Sequence, residues 1–341
     1  YNHQQPVNQP HTGISPARPE VVNSTEQRDD VNPQLSGINP EQYNSELYAA
    51  ARDGDVEKVR LLLEAGADVN WANEAESLNT PLIMAARNGH KECVRLLLAA
   101  PGIDVNKANK YGETPLSWAA FNGHTECVRL LLAAPGININ QANQSGNTPL
   151  SWAAFNGHKE CVSLLLAAPG IDVNKADSYD STPLNWAVNN GHTECVRLLL
   201  SAPGIDVNKA DSFGLTPLNC AANKGHIECV RLLLAAPGID VNKADRNSWT
   251  PLYMAARNGH TECVRLLLAA PGIDVNKADS LGWTPLNRAA NKGHIECVRL
   301  LLTTPGININ QANQSGDTPL FWAAVNGHTE CCSPSTRRTG N

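Results

Sequence analysis

Long apolar runs are missing from this chain. Stretches such as Leu-Leu-Leu-Ala-Ala end at proline and fall far below the roughly 18 residues a membrane-crossing helix needs, so a soluble protein with no membrane partner is expected. Basic excess is also missing. With 27 Lys and Arg against 33 Asp and Glu, the formal net charge is -6, which disfavours a footprint on phosphate backbone and excludes nucleic acid as an expected partner. Neither a Gly-x-x-x-x-Gly-Lys phosphate loop nor a His-Glu-x-x-His helix occurs. No charged segment followed by an apolar stretch marks a signal peptide, although the chain starts at Tyr1 and leaves room for an upstream segment.

What is present is periodicity. Ten cysteines suggest a disulfide scaffold until their placement is read: Cys93, Cys127, Cys161, Cys195, Cys229, Cys263, Cys297 and Cys331 are each 34 residues apart, each within Gly-His-x-Glu-Cys. The threonine of Thr-Pro-Leu recurs at the same spacing from Thr80 to Thr318. Fixed self-similarity of this period signals a solenoid. Within one unit, Thr114-Pro115 reads as an N-cap followed by proline at the first helical position. Leu116, Trp118, Ala119 and Ala120 give that helix an apolar stripe, and Asn122-Gly123 ends it. A second helix starts at His124, carries Cys127, Val128, Leu130, Leu131 and Leu132, and stops at Pro135-Gly136. The segment from Ile137 through Gly146 reads as an extended finger leading to the next Thr-Pro-Leu. Helix pairs this short bury their apolar faces only by stacking, so the core is shared between units.

These residues resemble the ankyrin repeat. Thr80-Pro81-Leu82, Ala85-Ala86, Gly89-His90, Glu92, Val94, Leu97-Leu98 and Asp104-Val105-Asn106 match the family pattern, and about 290 residues are covered. The resemblance implies an all-α repeat solenoid, an ankyrin array of stacked helix-turn-helix units with β-hairpin-like fingers. Most units have 34 residues because Ala-Pro-Gly-Ile-Asp replaces the usual Ala-Gly-Ala-Asp, which only Ala65-Gly66-Ala67-Asp68 keeps. The family's His after Thr-Pro-Leu is absent, with Ser117, Asn185 or Tyr253 in its place, so its hydrogen bond is in question. Asp180 and Ser248 stand where the finger usually has glycine and should be strained.

The expected organisation is a disordered Asn/Gln/Pro-rich segment over 1–44, a capping unit over 45–79, a solenoid over 45–332 whose last unit is incomplete, and a disordered tail over 333–341. Asp55 and Lys58 replace the repeat's His and Cys, a polar substitution that fits a cap. After Cys331 the repeat is lost abruptly, as a frameshift or truncation would produce, so Leu300 to Leu302 should be less protected and self-association through this incompletely capped end is plausible.

Site chemistry is weighed against packing. His and Cys at i and i+3 resemble metal ligands, but successive pairs are a repeat apart, roughly 8 to 10 Å, too far for one zinc or a disulfide. His is expected to bond neighbouring backbone and Cys to act as a small buried hydrophobe, so no metal and no cofactor are expected. Equal spacing of Ser, His and Cys in every unit gives no asymmetric active site, and no enzyme is expected. Sequons at Asn23, Asn143 and Asn313 are expected by chance in an Asn-rich chain. A regular ladder of reduced thiols points to a reducing, cytoplasmic location.

Positions constant in all copies belong to the fold, and positions that vary are free of that duty. The varying finger residues are Lys110, Tyr111 and Glu113; Tyr179 and Ser181; Phe213 and Leu215; Arg246 and Trp249; Leu281 and Trp283. On the first helix they are Phe121, Phe155, Asn189, Asn223, Arg257 and Asn291. In the family such slots line a concave face that binds partners, so the resemblance implies a non-enzymatic protein-protein interaction module whose protein partner, of unknown identity, is anchored by aromatics and arginine. Trp118, Trp152, Trp186 and Trp322 occupy a slot that is usually core. Alanine at Trp249 and Trp283 is expected to weaken binding with little change in melting. The alternative is an architectural spacer or scaffold segment of a larger multidomain protein.

Overall fold

A computed structural model describes residues 38–328 and residue 330; the readings made for 1–37, Cys331 and the tail lie outside them. The described residues form an all-α repeat solenoid of seventeen α-helices. The first helices of successive units are α1 (Tyr43–Asp53), α3 (Pro81–Arg87), α5 (Pro115–Phe121), α7 (Pro149–Asn156), α9 (Pro183–Asn189), α11 (Pro217–Lys224), α13 (Pro251–Asn258), α15 (Pro285–Lys292) and α17 (Pro319–Val325). The second helices are α2 (Val56–Glu64), α4 (Lys91–Ala99), α6 (Thr125–Leu132), α8 (Lys159–Ala167), α10 (Thr193–Leu200), α12 (Ile227–Leu234), α14 (Thr261–Leu268) and α16 (Ile295–Leu302). First helices pack on first helices and second on second, giving two layers.

Each first helix starts as its sequence dictates. Thr114 Oγ1 accepts the Ser117 backbone N–H at 3.1 Å while Ser117 Oγ accepts the Thr114 N–H at 2.7 Å, a reciprocal cap that holds two otherwise orphaned donors. The slot that lost the family histidine is thus reused. In α9 and α11, Asn185 and Asn219 fill it, accept from Thr182 and Thr216, and extend Nδ2 toward carbonyls of the following unit. Between the layers, Leu116, Ala119, Ala120, Val128 and Leu131 are fully buried. Cys127 lies among them, and burial pushes its thiol up to about 11.

Gly-His is explained by stacking. The ring of His192 places Nε2 2.9 Å from the Phe155 carbonyl, at the end of the preceding unit's first helix. A carbonyl only accepts, so Nε2 carries the proton. The same bond recurs from His90 to His328, so histidine joins neighbouring units instead of bonding within its own. Gly157 has φ +77°, and a Cβ there would lie 2.5 Å from His192 Nδ1. Both backbone and neighbour therefore require glycine.

A second link between units is an asparagine ladder. Asn174 Nδ2 donates to the Gly204 carbonyl at 2.7 Å and its Oδ1 accepts the Asp206 N–H at 2.9 Å. Asn70, Asn106, Asn140, Asn208, Asn242 and Asn276 do the same one repeat apart.

The fingers differ from the hairpins expected. Among the described residues the only bridge is Asn73 with Asn79, and the fingers are turns held by side chains. Asn109 Oδ1 accepts the N–H groups of Tyr111 and Glu113 at 2.9 and 3.0 Å, a self-contained loop that leaves no ladder to form. Neighbouring fingers share a single backbone bond, such as Gln144 N to Tyr111 O at 3.0 Å. Asp180 and Ser248 are left-handed at φ 58° and 64°, as their sequence position suggested.

At the first unit, Asp55 caps α2 by accepting the Lys58 N–H at 3.0 Å, and Lys58 Nζ pairs with Glu46 at 2.6 Å. Residues 40–44, placed in the disordered segment by sequence, are helical here, and Asn44 Oδ1 accepts the Asp68 N–H at 2.7 Å. At the other end, the expectation for Leu300 to Leu302 is corrected. Leu301 is fully buried, as Leu131 is in the middle of the array, and the exposed apolar residues lie on α17, where Leu320, Phe321 and Val325 are 59%, 47% and 57% exposed.

Candidate interaction surface

Helical spacing puts the fourth and seventh residues after each Thr of Thr-Pro on one face of the first helix. In α5, α7 and α9 those residues build an aromatic ladder. Phe121 lies edge-on to Trp118 at 5.7 Å and to Trp152 at 5.1 Å, and Phe155 does the same with Trp152 and Trp186 at 5.9 and 5.2 Å. All five rings are half-buried. The expectation that the tryptophans belong to the core is corrected: each turns one side to its helix and the other to the row of phenylalanines.

A second cluster follows in α13, α15 and α17. Trp249 stacks on the buried Tyr253 at 5.5 Å, with the Arg257 guanidinium 4.5 Å from its ring centre. Trp283 lies 5.0 Å from Trp322, and Arg288 stands 3.9 Å over it. Beneath, Tyr253 Oη donates to Asp279 Oδ2 at 2.7 Å, Arg288 Nε donates to Tyr253 Oη at 2.5 Å, and Arg288 Nη2 reaches Asp279 Oδ2 at 3.3 Å. Burial raises the Asp279 carboxyl, but hydrogen bonds from Tyr253, from the Trp283 and Leu281 N–H groups and from Arg288 outweigh it and hold the group below the usual carboxylate range. Trp249 and Trp283 are therefore packing residues with one open side, and alanine there is expected to lower stability as well as affinity. Of these partners only Trp322 sits one repeat away; Tyr253, Arg257 and Arg288 follow within the same unit.

Other varying residues fall into two groups. Tyr111, Tyr179, Phe213 and Leu281 are 51%, 60%, 62% and 55% exposed at the finger tips, and Lys110 Nζ sits 5.0 Å over Tyr111. Arg246 is exposed at the tip beside them. By contrast, Glu113 accepts from Asn143 Nδ2 at 2.5 Å, and the Leu215 carbonyl accepts from Asn185. Asn189, Asn223 and Asn291 carry the carbonyls that accept from His226, His260 and His328, so these half-buried residues stack units and present only their side chains. The sequence reading missed Arg87, exposed at the end of α3 with its guanidinium 4.5 Å from the Trp118 ring centre.

The tryptophans differ in one respect that the finger explains. Trp186 Nε1 donates to Asp177 Oδ2 at 3.0 Å. Trp118, Trp152 and Trp322 bury the same N–H without a partner. In those units the finger residue is Asn109, Asn143 or Asn313, whose Oδ1 is taken by the finger backbone; the remaining Nδ2 is a donor and has nothing to offer another donor. Asn109→Asp is expected to supply the missing acceptor and raise stability by about 1 kcal/mol. Asn79, whose Oδ1 now accepts from Asn109, can turn its amide to donate instead. Urea unfolding of the variant checks this; a fall in stability contradicts it.

Among the described residues no three His, Cys, Asp or Glu side chains converge as metal ligands, and no helix is long and apolar enough to cross a membrane. Comparison with known proteins places this geometry. A family model described as ankyrin repeats (3 copies) matches residues 47–143, 136–211, 203–279 and 271–333. No curated protein matches. Among solved structures, the crystal structure of the ankyrin repeat domain of Bcl-3, described as a unique member of the IκB protein family, is similar at 30% identity with a TM-score of 0.58; the match spans 65% of this chain and 98% of that one.

Proposed function

Because the chain belongs to the ankyrin-repeat family, whose repeats are generally protein-protein interaction modules, we propose that it is a non-enzymatic binding module whose protein partner lies across the finger tips and first helices. The observation that carries this reading is the pairing of the aromatic ladder from Trp118 to Trp186 with exposed Tyr111, Tyr179, Phe213 and Leu281 on neighbouring fingers. Aromatic side chains bring large contact area at small entropic cost, and they supply anchors at interfaces. The second helices have a different surface. There Arg129, Arg197 and Arg265 each pair with the Glu three residues before, and the outward face repeats with little variation.

Tyr179→Ala together with Phe213→Ala tests the assignment. Both side chains are mostly exposed, so stability should change by no more than about 0.5 kcal/mol per site. Affinity for a captured partner, measured by calorimetry, should fall about tenfold or more. Unchanged affinity would remove the finger tips from the binding surface and favour the spacer reading instead.

A further inference from the structure

The arginines of the second helices and four cations on the opposite side differ in their partners. On the second helices, Arg95, Arg129, Arg197, Arg231, Arg265 and Arg299 each form an ion pair with the glutamate three residues earlier. On the opposite side, among the described residues, Arg87, Lys110, Arg246 and Arg257 have no ion pair, although the chain carries a net charge of -6 and has carboxylates to spare. The carboxylates near them are already engaged: Glu113 accepts from Asn143, Asp177 from Trp186, and Asp279 from Tyr253 and Arg288.

Two of these cations are positioned. Arg87 and Arg257 occupy equivalent slots five units apart, and each guanidinium lies 4.5 Å from an indole centre, of Trp118 and Trp249 respectively. Stacking on a ring restricts the guanidinium while its N–H donors, which lie at its periphery, stay available for bidentate contact with a carboxylate. Lys110 and Arg246 stand at the finger tips beside them. Between the two ends run Phe121 and Phe155 with their tryptophans, and the exposed Asp180, which disfavours acid in the middle of an occupant.

We propose that this surface recognises an acidic partner segment in extended form, with carboxylates seated on Arg87 and Arg257 and apolar side chains on the aromatic ladder between them. The inference rests on the functional reading above and adds the chemistry of the partner. Charge complementarity supports it: like the ladder, Arg87, Lys110, Arg246 and Arg257 lie on the face that varies from unit to unit, and an acidic segment is the occupant that neutralises them.

The test is to pan randomised displayed peptides against the full chain and to measure synthesised consensus peptides by fluorescence polarisation. The recovered pool should be enriched at least threefold in Asp and Glu, together with Leu, Phe or Trp. Arg87→Gln with Arg257→Gln should weaken binding at least tenfold, and Arg87→Glu with Arg257→Glu at least thirtyfold, while Arg95→Gln with Arg197→Gln changes it less than threefold. Melting of each variant is followed by circular dichroism, and the Gln pair stands as the measure where the Glu pair unfolds. Peptides that lose affinity on Tyr179→Ala and Phe213→Ala yet lack acid, or ignore both arginine pairs, overturn the acidic-partner proposal and leave the binding surface intact. Peptides insensitive to every variant on this face, or no binders at all, overturn both. A synthetic peptide of residues 1–37 that displaces the consensus at equal or lower concentration makes the occupant a segment of this chain and also overturns the proposal.

Discussion

Asp279→Ala is expected to destabilise the chain by about 3 to 5 kcal/mol. The carboxylate is 2% exposed and anchors five groups: Tyr253 Oη, Arg288, and through its finger the Leu281 and Trp283 N–H groups as well as the Trp283 ring that Arg288 covers. Truncation leaves a guanidinium of 19% exposure without its counter-charge and two backbone donors without acceptors. Because a solenoid couples mainly to nearest neighbours, the loss should appear first as faster amide exchange in α13 to α16. The pH dependence has a definite sign. The folded carboxyl is held below its unfolded value, so its contribution is present above about pH 4 and is lost as pH falls through the lower, folded value. The gap in stability between the wild-type chain and Asp279→Asn should therefore narrow on acidification. A loss under 1 kcal/mol, or a gap that widens in acid, contradicts the role given to Asp279.

Gly157→Ala is expected to cost about 2 to 4 kcal/mol, far above the usual effect of a single methyl. The left-handed backbone costs about 1 kcal/mol for any residue with a Cβ. That Cβ would also stand 2.5 Å from His192 Nδ1, and moving the ring breaks its bond to the Phe155 carbonyl, at about 1 to 3 kcal/mol for a carbonyl left unpaired. Gly136→Ala is the control. Its φ is +74°, but nothing lies within 4 Å of a Cβ there, so only the backbone cost should appear. Equal losses at the two glycines, read from thermal melts, would mean that histidine stacking contributes nothing.

The fold was legible in the sequence for a physical reason. Thr-Pro at a helix start, Asn-Gly or Lys-Gly at its end and Pro-Gly after the second helix are local signals whose cause lies within a few residues, and they recur from unit to unit. What escaped depends on contacts one repeat away. Nothing local shows that His192 bonds Phe155 O or that Asn174 holds Gly204. The recurrence of Gly-His and of the Asn that ends Asp-Val-Asn or Asn-Ile-Asn was the available signal, and it marked these residues as structural without saying what they touch.

The binding surface was legible in part. Variation between units located the exposed Tyr111, Tyr179, Phe213 and Leu281, but the tryptophans on the same face were placed in the core. Trp118, Trp152 and Trp186 were assigned to the core because the family's residue in that slot is usually apolar and buried, whereas in α5 and α7 a Trp-x-x-Phe spacing places both rings on one helix face. Arg87 was overlooked because its partner ring belongs to the next unit.

One measurement reaches the central claim directly, that the face which varies between units is the face presented to a partner. A photoreactive benzoylphenylalanine placed at Tyr179, at Phe213, or at the exposed Ser163 on α8 can be irradiated in cells that express the chain. Covalent adducts with another protein are expected from the first two positions and not from Ser163. Adducts of equal yield from Ser163, or from Ser163 alone, would contradict the claim and move recognition to the second helices.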